Sequence, residues 1–314
     1  MKTFDVTALG EILIDFTFSG YNEDGMALFA QNPGGAPANV LAAVQKLGGK
    51  TAFIGKVGND MHGNFLRNVL QSKNICCDGL LTDNNTFTTL AFVSLSENGE
   101  RSFSFARKPG ADTRLEENEV NYDIIKSSKV LHVGSLSLTD SPSREATLAA
   151  LDFAKANNIT VSYDPNYRAM LWKDEETAKK GIRSVLPYVD IIKISDEETG
   201  LLTDEKDVKG AAKRLLRLGI KCVIVTKGSE GAYILSQKGE AEIKSKKVTV
   251  ADTTGAGDSF MGGFLYKLTD ANIMPSEISC EELRKFGDFA ANVAAFCVSK
   301  RGALNAMPSL EDLG

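Results

Sequence analysis

From about residue 129 onward, short runs of apolar and β-branched residues alternate with segments that have the apolar spacing of amphipathic helices. The runs predict buried strands at 130–133, 160–163, 191–194, 222–225 and 232–235. The segments between them predict helices near 143–157, 175–186 and 206–219. Strands and helices that alternate in this way are typical of a doubly wound α/β fold, in which helices flank a mostly parallel sheet. We therefore expect this fold class.

Polar side chains follow three of these predicted strands. They are Asp-Pro-Asn-Tyr-Arg at 164–168, Ser-Asp-Glu-Glu at 195–198 and Thr-Lys-Gly at 226–228. Each segment is also ordinary turn chemistry when taken alone. Because the carboxyl ends of parallel strands share one edge, where open α/β sheets bind ligands, the three segments together indicate a ligand site.

The stretch Asp-Thr-Thr-Gly-Ala-Gly-Asp-Ser-Phe at 252–260 reads as a glycine-rich turn that feeds a helix. The β-branched residues at 248–250 predict a strand before the turn, and apolar spacing from Asp258 onward predicts the helix. A turn of this kind directs free backbone N–H groups to one point at the positive end of the helix dipole. The stretch therefore predicts an anion site.

A carboxylate at Asp258 would repel an anion bound in this turn. We interpret Asp258 as a general base that takes the proton of an attacking hydroxyl group. The amides of Gly255, Ala256 and Gly257 would then hold the charge of a transferred phosphoryl group. The alternative is an ordinary acidic residue in the first turn of a helix.

Two other phosphate-binding loops are excluded by the sequence. No Gly-x-x-x-x-Gly-Lys-Ser/Thr motif occurs, so the chain is not a P-loop enzyme. Phe260 stands where the dinucleotide-binding fingerprint requires glycine, which argues against an NAD site.

Composition limits the remaining classes. The 314 residues are 43% hydrophobic, enough for one large α/β domain or two smaller ones. A formal net charge of −5 without a Lys/Arg run argues against nucleic acid or an anionic membrane as partner. No apolar stretch approaches a membrane span, and the first residues do not resemble a signal peptide. Five scattered cysteines without Cys-x-x-Cys indicate reduced thiols and a cytoplasmic protein.

The only histidines are His62 and His132, far apart in the sequence. We therefore do not expect a histidine-based metal site or a Ser-His-Asp triad, and we interpret both histidines as structural.

Three motifs resemble ribokinase-family sugar kinases. The stretch 252–260 resembles the C-terminal signature of that family, and Gly-Gly-Ala-Pro-Ala-Asn at 34–39 resembles its N-terminal signature in the form typical of fructokinases. Asp-Pro-Asn-x-Arg at 164–168 resembles the branch that contains fructokinases and ketodeoxygluconate kinases. The resemblance extends from residue 10 to residue 308. It implies a single ribokinase-like α/β domain over residues 1–314.

The resemblance also implies a small β-sheet lid formed by about 12–33 and 86–110. Residues 88–95 and 101–105 alternate in polarity around a hairpin turn at 97–100. A lid that closes over the sugar would exclude water from the reaction.

The resemblance implies site residues wherever this sequence matches the motifs of the family. Asp258 would be the catalytic base, with Gly255, Ala256 and Gly257 as the anion hole. The implied sugar-binding residues are Asp15, Gly34, Gly35, Asn39, Arg107 and Arg168. The implied nucleotide-binding residues are Ser195, Thr226, Gly228, Gly231 and Asn292. Glu198 would bind Mg²⁺ through water, and Asp252 and Thr254 would belong to a site for a monovalent cation such as K⁺.

Several of these residues have ordinary interpretations. In these interpretations Asp15 is a charge on an edge strand and Arg107 is a surface arginine. Asn292 lies on a helix that packs against the sheet. Two positions depart from the family pattern: Ser195 replaces an asparagine, and Ala106 replaces the aromatic residue common before the arginine in fructokinases. Part of the stacking against the sugar is then missing.

The expected activity is ATP- and Mg²⁺-dependent phosphorylation of D-fructose to fructose 6-phosphate. A 2-keto-3-deoxygluconate kinase is the alternative, since two arginines near the sugar could bind a carboxylate. A more remote alternative is a catalytically silent kinase-like binding protein. The expected partners are a sugar and ATP, with a homodimer formed through the lid.

Overall fold

The computed structural model of this chain describes residues 2–95, 101–205 and 207–314, without the side chains of 94, 95 and 101–103. The strands are β1 (Phe4–Leu9), β2 (Leu13–Tyr21), β3 (Ala27–Gly34), β4 (Thr51–Gly58), β5 (Cys76–Asp83), β6 (Leu90–Leu95), β7 (Arg101–Ala106), β8 (Ser128–Gly134), β9 (Thr160–Asp164), β10 (Ile191–Ser195), β11 (Cys222–Thr226), β12 (Ala232–Ser236) and β13 (Gly239–Ile243). The α-helices are α1 (Ala36–Lys46), α2 (Met61–Ser72), α3 (Tyr122–Lys126), α4 (Ser143–Ala156), α5 (Glu175–Ser184), α6 (Thr199–Thr203), α7 (Val208–Arg217), α8 (Ala256–Ala271), α9 (Cys280–Val298) and α10 (Leu310–Leu313).

The main sheet contains nine of the described strands in the order β13-β12-β11-β10-β9-β8-β1-β4-β5. All neighbours from β11 to β5 pair in parallel. From β1 the chain moves to β4 and β5 on one side, and later to β8 through β11 on the other. The strand order therefore reverses between β1 and β8, the position at which doubly wound sheets bind ligands. The predicted fold class is confirmed.

Two sequence predictions about strands differ from the structure. The run at 232–235 forms β12, but β12 pairs antiparallel with β11 because the five residues 227–231 are too few for a parallel crossover. The strand predicted at 248–250 is wrong, since those residues lie outside both sheets. Val248 and Val250 are 42% and 56% exposed. None of the strands in the described part of the chain pairs with them.

A smaller sheet has the order β3-β2-β6-β7. Its outer pairs are antiparallel, and β2 and β6 pair in parallel. These strands belong to the two segments expected to form the lid, although the last residue of β3 extends past 33. The predicted turn at 97–100 lies outside the described residues. The description of the chain as one domain stays a prediction.

Side chains just before α2 and α9 satisfy the first amides of these two helices. Asp60 caps α2 by accepting from the amides of His62 and Gly63. Ser279 and Glu282 form a capping box at the start of α9. None of the helices among the described residues is both long and apolar enough to cross a membrane.

Close contact between α1 and α8 depends on a glycine in α8. A Cβ at Gly262 would lie 2.5 Å from the Cβ of Ala43 and 2.9 Å from the carbonyl oxygen of Val40. A larger residue would therefore separate the helices. This contact brings the first turns of both helices to the carboxyl edge of the sheet.

Glu11, directly after β1, caps α1 from a distance. Its Oε1 accepts from the amide of Ala36 at 3.0 Å, while the N-cap residue Gly35 has no side chain to do so. The side chain is 2% exposed, and Oε2 has no hydrogen-bond partner among the described residues. Burial raises the pKa of Glu11 to about 7, with a further increase from Asp112 and a decrease from Arg107.

This raised pKa predicts a pH-dependent stability. The folded protein keeps the Glu11 proton up to about pH 7, whereas the unfolded chain releases it near the ordinary value of about 4.3. The free energy of unfolding should therefore fall by up to about 3 kcal/mol as the pH rises through this range. Glu11→Gln should lack this decrease. Urea unfolding of both proteins at pH 5 and pH 8 measures it.

Glu281→Gln is the control, since Glu281 is exposed in the first turn of α9. Its difference from the wild type should be the same at both pH values. An equally constant difference for Glu11→Gln would contradict the prediction.

Candidate active site

Two helix N-termini meet at the carboxyl edge of the main sheet. Asp258 lies in the first turn of α8 and Asn39 in the first turn of α1. The Nδ2 of Asn39 donates to Oδ2 of Asp258 at 2.8 Å, across 219 residues of sequence. Both side chains are buried, so this contact fixes the carboxylate of Asp258 in one orientation.

The turn before α8 has the geometry of an anion site. Gly255 is the N-cap residue with a left-handed φ of 77°, and a Cβ there would lie 2.6 Å from the Cβ of Ala303. Glycine is therefore required at this position. Because Gly255 has no side chain, it offers no acceptor to the first amides of a 16-residue helix. The amide of Ala256 donates to the carbonyl oxygen of Thr253 at 3.3 Å, and the amides of this first turn, with that of Gly257 among them, fit a phosphate group.

The carboxylate of Asp258 has a perturbed pKa. Burial raises the pKa to about 6, and the charge of Asp164 raises it further. The hydrogen bond from Asn39 and the charges of Lys193 and Arg168 act in the opposite direction. Asp258 is thus mainly ionised at neutral pH but close enough to its pKa to accept a proton in a reaction.

Asp15 faces the same region from the smaller sheet. It lies half-buried on β2, and burial raises its pKa to about 6. The charge of Arg168 lowers this pKa, and those of Asp258 and Asp252 raise it. A Cβ at Gly34 would overlap the Asp15 carboxylate, at 2.1 Å from Oδ2. The structure therefore brings Asp15 and Gly34 together beside Asp258.

The two predicted arginines have different surroundings. Arg107 is 5% exposed, and its guanidinium donates to Asp112 Oδ2 at 2.8 Å, to Thr139 Oγ1 at 2.8 Å and to the carbonyl of Leu136 at 2.9 Å. Arg168 is exposed, and its charge acts on both Asp15 and Asp258. The structure thus places Arg168 at the site, whereas the side chain of Arg107 is held by hydrogen bonds inside the protein.

Glu198 connects two strand ends. Its Oε1 accepts from the amide of Tyr167 at 2.7 Å and its Oε2 from the amide of Ser195 at 2.8 Å. Within the described residues, no group of three or more His, Cys, Asp and Glu side chains could hold a metal ion. A magnesium ion here would take most of its ligands from phosphate and water, which suits its reluctance to lose water.

The predicted nucleotide-binding residues lie on neighbouring elements. Ser195 and Thr226 are register partners at the ends of β10 and β11. Gly228 and Gly231 have φ values of 53° and 96° in the turn that follows. Asn292 is exposed on α9, a helix that packs against β12, β13 and α8.

The predicted cation-site residues form an ordered loop. Asp252 Oδ1 accepts from the amide and the hydroxyl of Thr254, and its Oδ2 accepts from the amide of Gly302 at 3.1 Å. The amide of Asp252 donates to the carbonyl of Val298. The structure therefore joins Asp252 and Thr254 to the 298–302 segment.

Lys193 is a residue beside the site that the sequence analysis missed. Its Nζ donates to Oδ2 of Asp164 at 2.7 Å, and both side chains are buried. A Cβ at Gly257 would lie 2.7 Å from this Nζ, so the ammonium contacts the anion site. The signal in the sequence was a lone charge in the apolar run at 191–194.

Known proteins resemble this chain over nearly its full length. Residues 3–310 match the pfkB family of carbohydrate kinases. Fructokinase-2 of Oryza sativa subsp. japonica is 41% identical over 310 residues, which cover 97% of this chain and 91% of that protein.

Solved structures give the same result. Fructokinase from Xylella fastidiosa with bound ATP has a TM-score of 0.89 and 32% identity, covering 98% of this chain and 97% of its own. A double mutant of fructokinase from Vibrio cholerae O395, solved with fructose, ADP and potassium ion, has a TM-score of 0.87 and 30% identity. It covers 100% of this chain and 98% of its own.

These matches confirm the ribokinase-like fold and the phosphotransferase class expected from the sequence. The chain belongs to the pfkB family of carbohydrate kinases, and its sequence and structure are fructokinase-like.

Proposed function

We propose that this kinase transfers the γ-phosphoryl group of ATP to D-fructose and forms fructose 6-phosphate. The observation that carries the proposal is the buried Asp258 carboxylate, which Asn39 holds at the uncapped N-terminus of α8. Fructokinases among the relatives support the choice of sugar.

Asp258 acts as the general base in the proposed reaction. The sugar hydroxyl gives its proton to the carboxylate, and its oxygen forms a bond with the γ-phosphorus. The bond from that phosphorus to the bridging oxygen breaks, and the electron pair leaves on ADP. The amides of Gly255, Ala256 and Gly257 offset charge on the group in transfer. Glu198 would contact Mg²⁺ through water, and the bound ion would offset phosphate charge.

The sugar lies between the small sheet and the two helix N-termini. Asp15, Gly34, Gly35 and Asn39 bind its hydroxyl groups, with Arg168 at the reacting end. Asn39 supports this placement, because its Oδ1 is buried and has no hydrogen-bond partner among the described residues. It is available to accept from a hydroxyl group.

Arg107 contributes less directly than the resemblance implied. Its donors contact Asp112, Thr139 and Leu136, which favours a role in holding the loops around the sugar. A carboxylate clamp made of Arg107 and Arg168 is therefore disfavoured, and with it a 2-keto-3-deoxygluconate kinase.

ATP would lie along the ends of β10 and β11. Ser195, Thr226, Gly228 and Gly231 contact the nucleotide, and Asn292 borders the adenine. A potassium ion would bind at Asp252, Thr254 and the 298–302 backbone. The ordered contacts between these two segments support that site.

ADP release with Mg-ATP in potassium chloride tests the substrate. The acceptors are fructose, ribose, 2-keto-3-deoxygluconate, adenosine and fructose 6-phosphate, and fructose should give the highest kcat/KM. Preference for the keto acid would overturn the choice of sugar. Silence on every acceptor would overturn the kinase function. Replacing potassium with tetramethylammonium at equal ionic strength should lower the rate if the cation site is occupied.

Asp258→Asn tests the general base. The variant should lose about 10²–10⁴ in kcat and keep its KM for fructose, because the amide cannot accept the proton. Asp270→Asn is the control, because Asp270 is exposed at the other end of α8. Wild-type kcat should fall about tenfold per pH unit below pH 6, as Asp258 becomes protonated. Near-normal turnover of Asp258→Asn would contradict the role.

The small sheet also carries an exposed aromatic surface. The ring of Phe92 stacks on Phe16 at 5.3 Å and contacts Phe29 at 6.2 Å, and Phe29 and Tyr21 are 43% and 68% exposed. A second copy of this chain would cover these rings in a homodimer.

Phe29→Lys tests this surface by sedimentation velocity. The wild type should sediment as a dimer and the variant as a monomer, because a charge would be buried against aromatic rings. Leu218→Lys, on an exposed residue after α7, should leave the dimer intact. A monomeric wild type would contradict the proposal.

A further inference from the structure

A lysine is buried in the middle of the main sheet. Lys193 lies on β10 between Ile192 and Ile194, and it is 6% exposed. An ammonium group in such surroundings destabilises a fold unless it is paired. Asp164 at the end of β9 is 1% exposed and accepts from Nζ at 2.7 Å. Within the described residues this bond uses one of the three N–H donors of the ammonium.

The ammonium points at the anion site. Gly257 is the second residue of α8, and a Cβ on it would lie 2.7 Å from Nζ. The charges of Glu198 and Asp258 also act on Lys193. A fixed cation and the positive end of α8 therefore converge on one point.

The balance of charges around the anion site indicates a function for the Lys193 ammonium group. The charges of Asp164, Glu198 and Asp258 all act on Lys193 beside the anion site, and all three carboxylates are buried. The end of a helix supplies only about half an elementary charge. A phosphoryl group bound beside these three carboxylates requires a further positive charge with unused donors.

We propose that Lys193 donates a hydrogen bond to the phosphoryl group in transfer, and that Asp164 positions it. The inference rests on the kinase function proposed above. The sugar proton goes to Asp258, the sugar oxygen bonds to phosphorus, and the bridging bond breaks with its electrons on ADP. Lys193 keeps its proton throughout and offsets the charge of the oxygens around phosphorus.

A purely structural ion pair between β9 and β10 is the competing explanation. That explanation predicts that activity depends only on whether the buried charges at positions 164 and 193 balance, and not on which residues supply them. The proposed role predicts instead that activity requires the ammonium itself.

Three variants separate these explanations. Lys193→Met leaves Asp164 unpaired, so its loss of activity could come from unfolding. The double variant Lys193→Met with Asp164→Asn removes both charges and should remain folded by thermal unfolding. Asp164→Asn alone keeps the ammonium but not its positioning partner.

The double variant should have a kcat about 10²–10³ below the wild type, with the KM for fructose little changed. Asp164→Asn should lose less than the double variant, and Lys193→Arg should keep more activity than Lys193→Met. Lys129→Met is the matched control: Lys129 lies on β8 and pairs with Asp5 away from the site, so its kcat should stay normal.

A kcat within about tenfold of the wild type in the double variant would overturn the inference. A change confined to the KM for fructose would also overturn it. In either case an inactive Asp258→Asn would leave the proposed kinase function standing. A wild type silent on every acceptor would instead overturn the kinase function and the inference with it.

Discussion

Close packing between α1 and α8 determines where the reactive groups of this kinase lie. The helices touch through backbone and small side chains at Gly262, Ala43 and Val40. This contact leaves little freedom in how the two helices are placed against each other. As a result, Nδ2 of Asn39 and Oδ2 of Asp258 lie 2.8 Å apart. This polar pair lies where the positive ends of the two helix dipoles meet. One bulky residue in this contact would separate Asp258 from Asn39, which orients its carboxylate.

The same edge of the sheet concentrates carboxylates that the protein holds at a cost in stability. Burial raises the pKa values of Glu11, Asp15 and Asp258. Each of these groups is less stable as an anion here than it would be in water. Such costs are typical of sites that must accept protons near neutral pH. Lys193 and Arg168 offset part of the negative charge, as do the helix N-termini.

The local chemistry of the chain predicted much of the fold and part of the site. Apolar runs identified the central strands, and the glycine turn placed Asp258 at the start of a helix, because both patterns depend on neighbouring residues. Residues 248–250 show the limit of this reasoning. They have the composition of a strand, but no strand that the structure describes pairs with them, and they form none. Strand composition shows only that a segment fits a sheet, not that a partner exists.

The surroundings of Lys193 and Arg107 could not be predicted from the sequence for a different reason. A charge in an apolar run gains meaning from the residue that pairs with it. Asp164 lies 29 residues from Lys193, and only the neighbouring strands bring the two together. Arg107 is surrounded by groups from a separate loop, which turns a residue of surface type into a buried one.

The sequence by itself determined the class of fold, the family and the type of reaction, because periodicity and motif spacing are local properties of the chain. Tertiary structure decided which charges face each other, which donors remain unused and how far the pKa values shift. These quantities depend on distance and burial between residues such as Asn39 and Asp258, which are remote in sequence. Electrostatic energy varies with separation and with the medium, and both are properties of the folded protein alone.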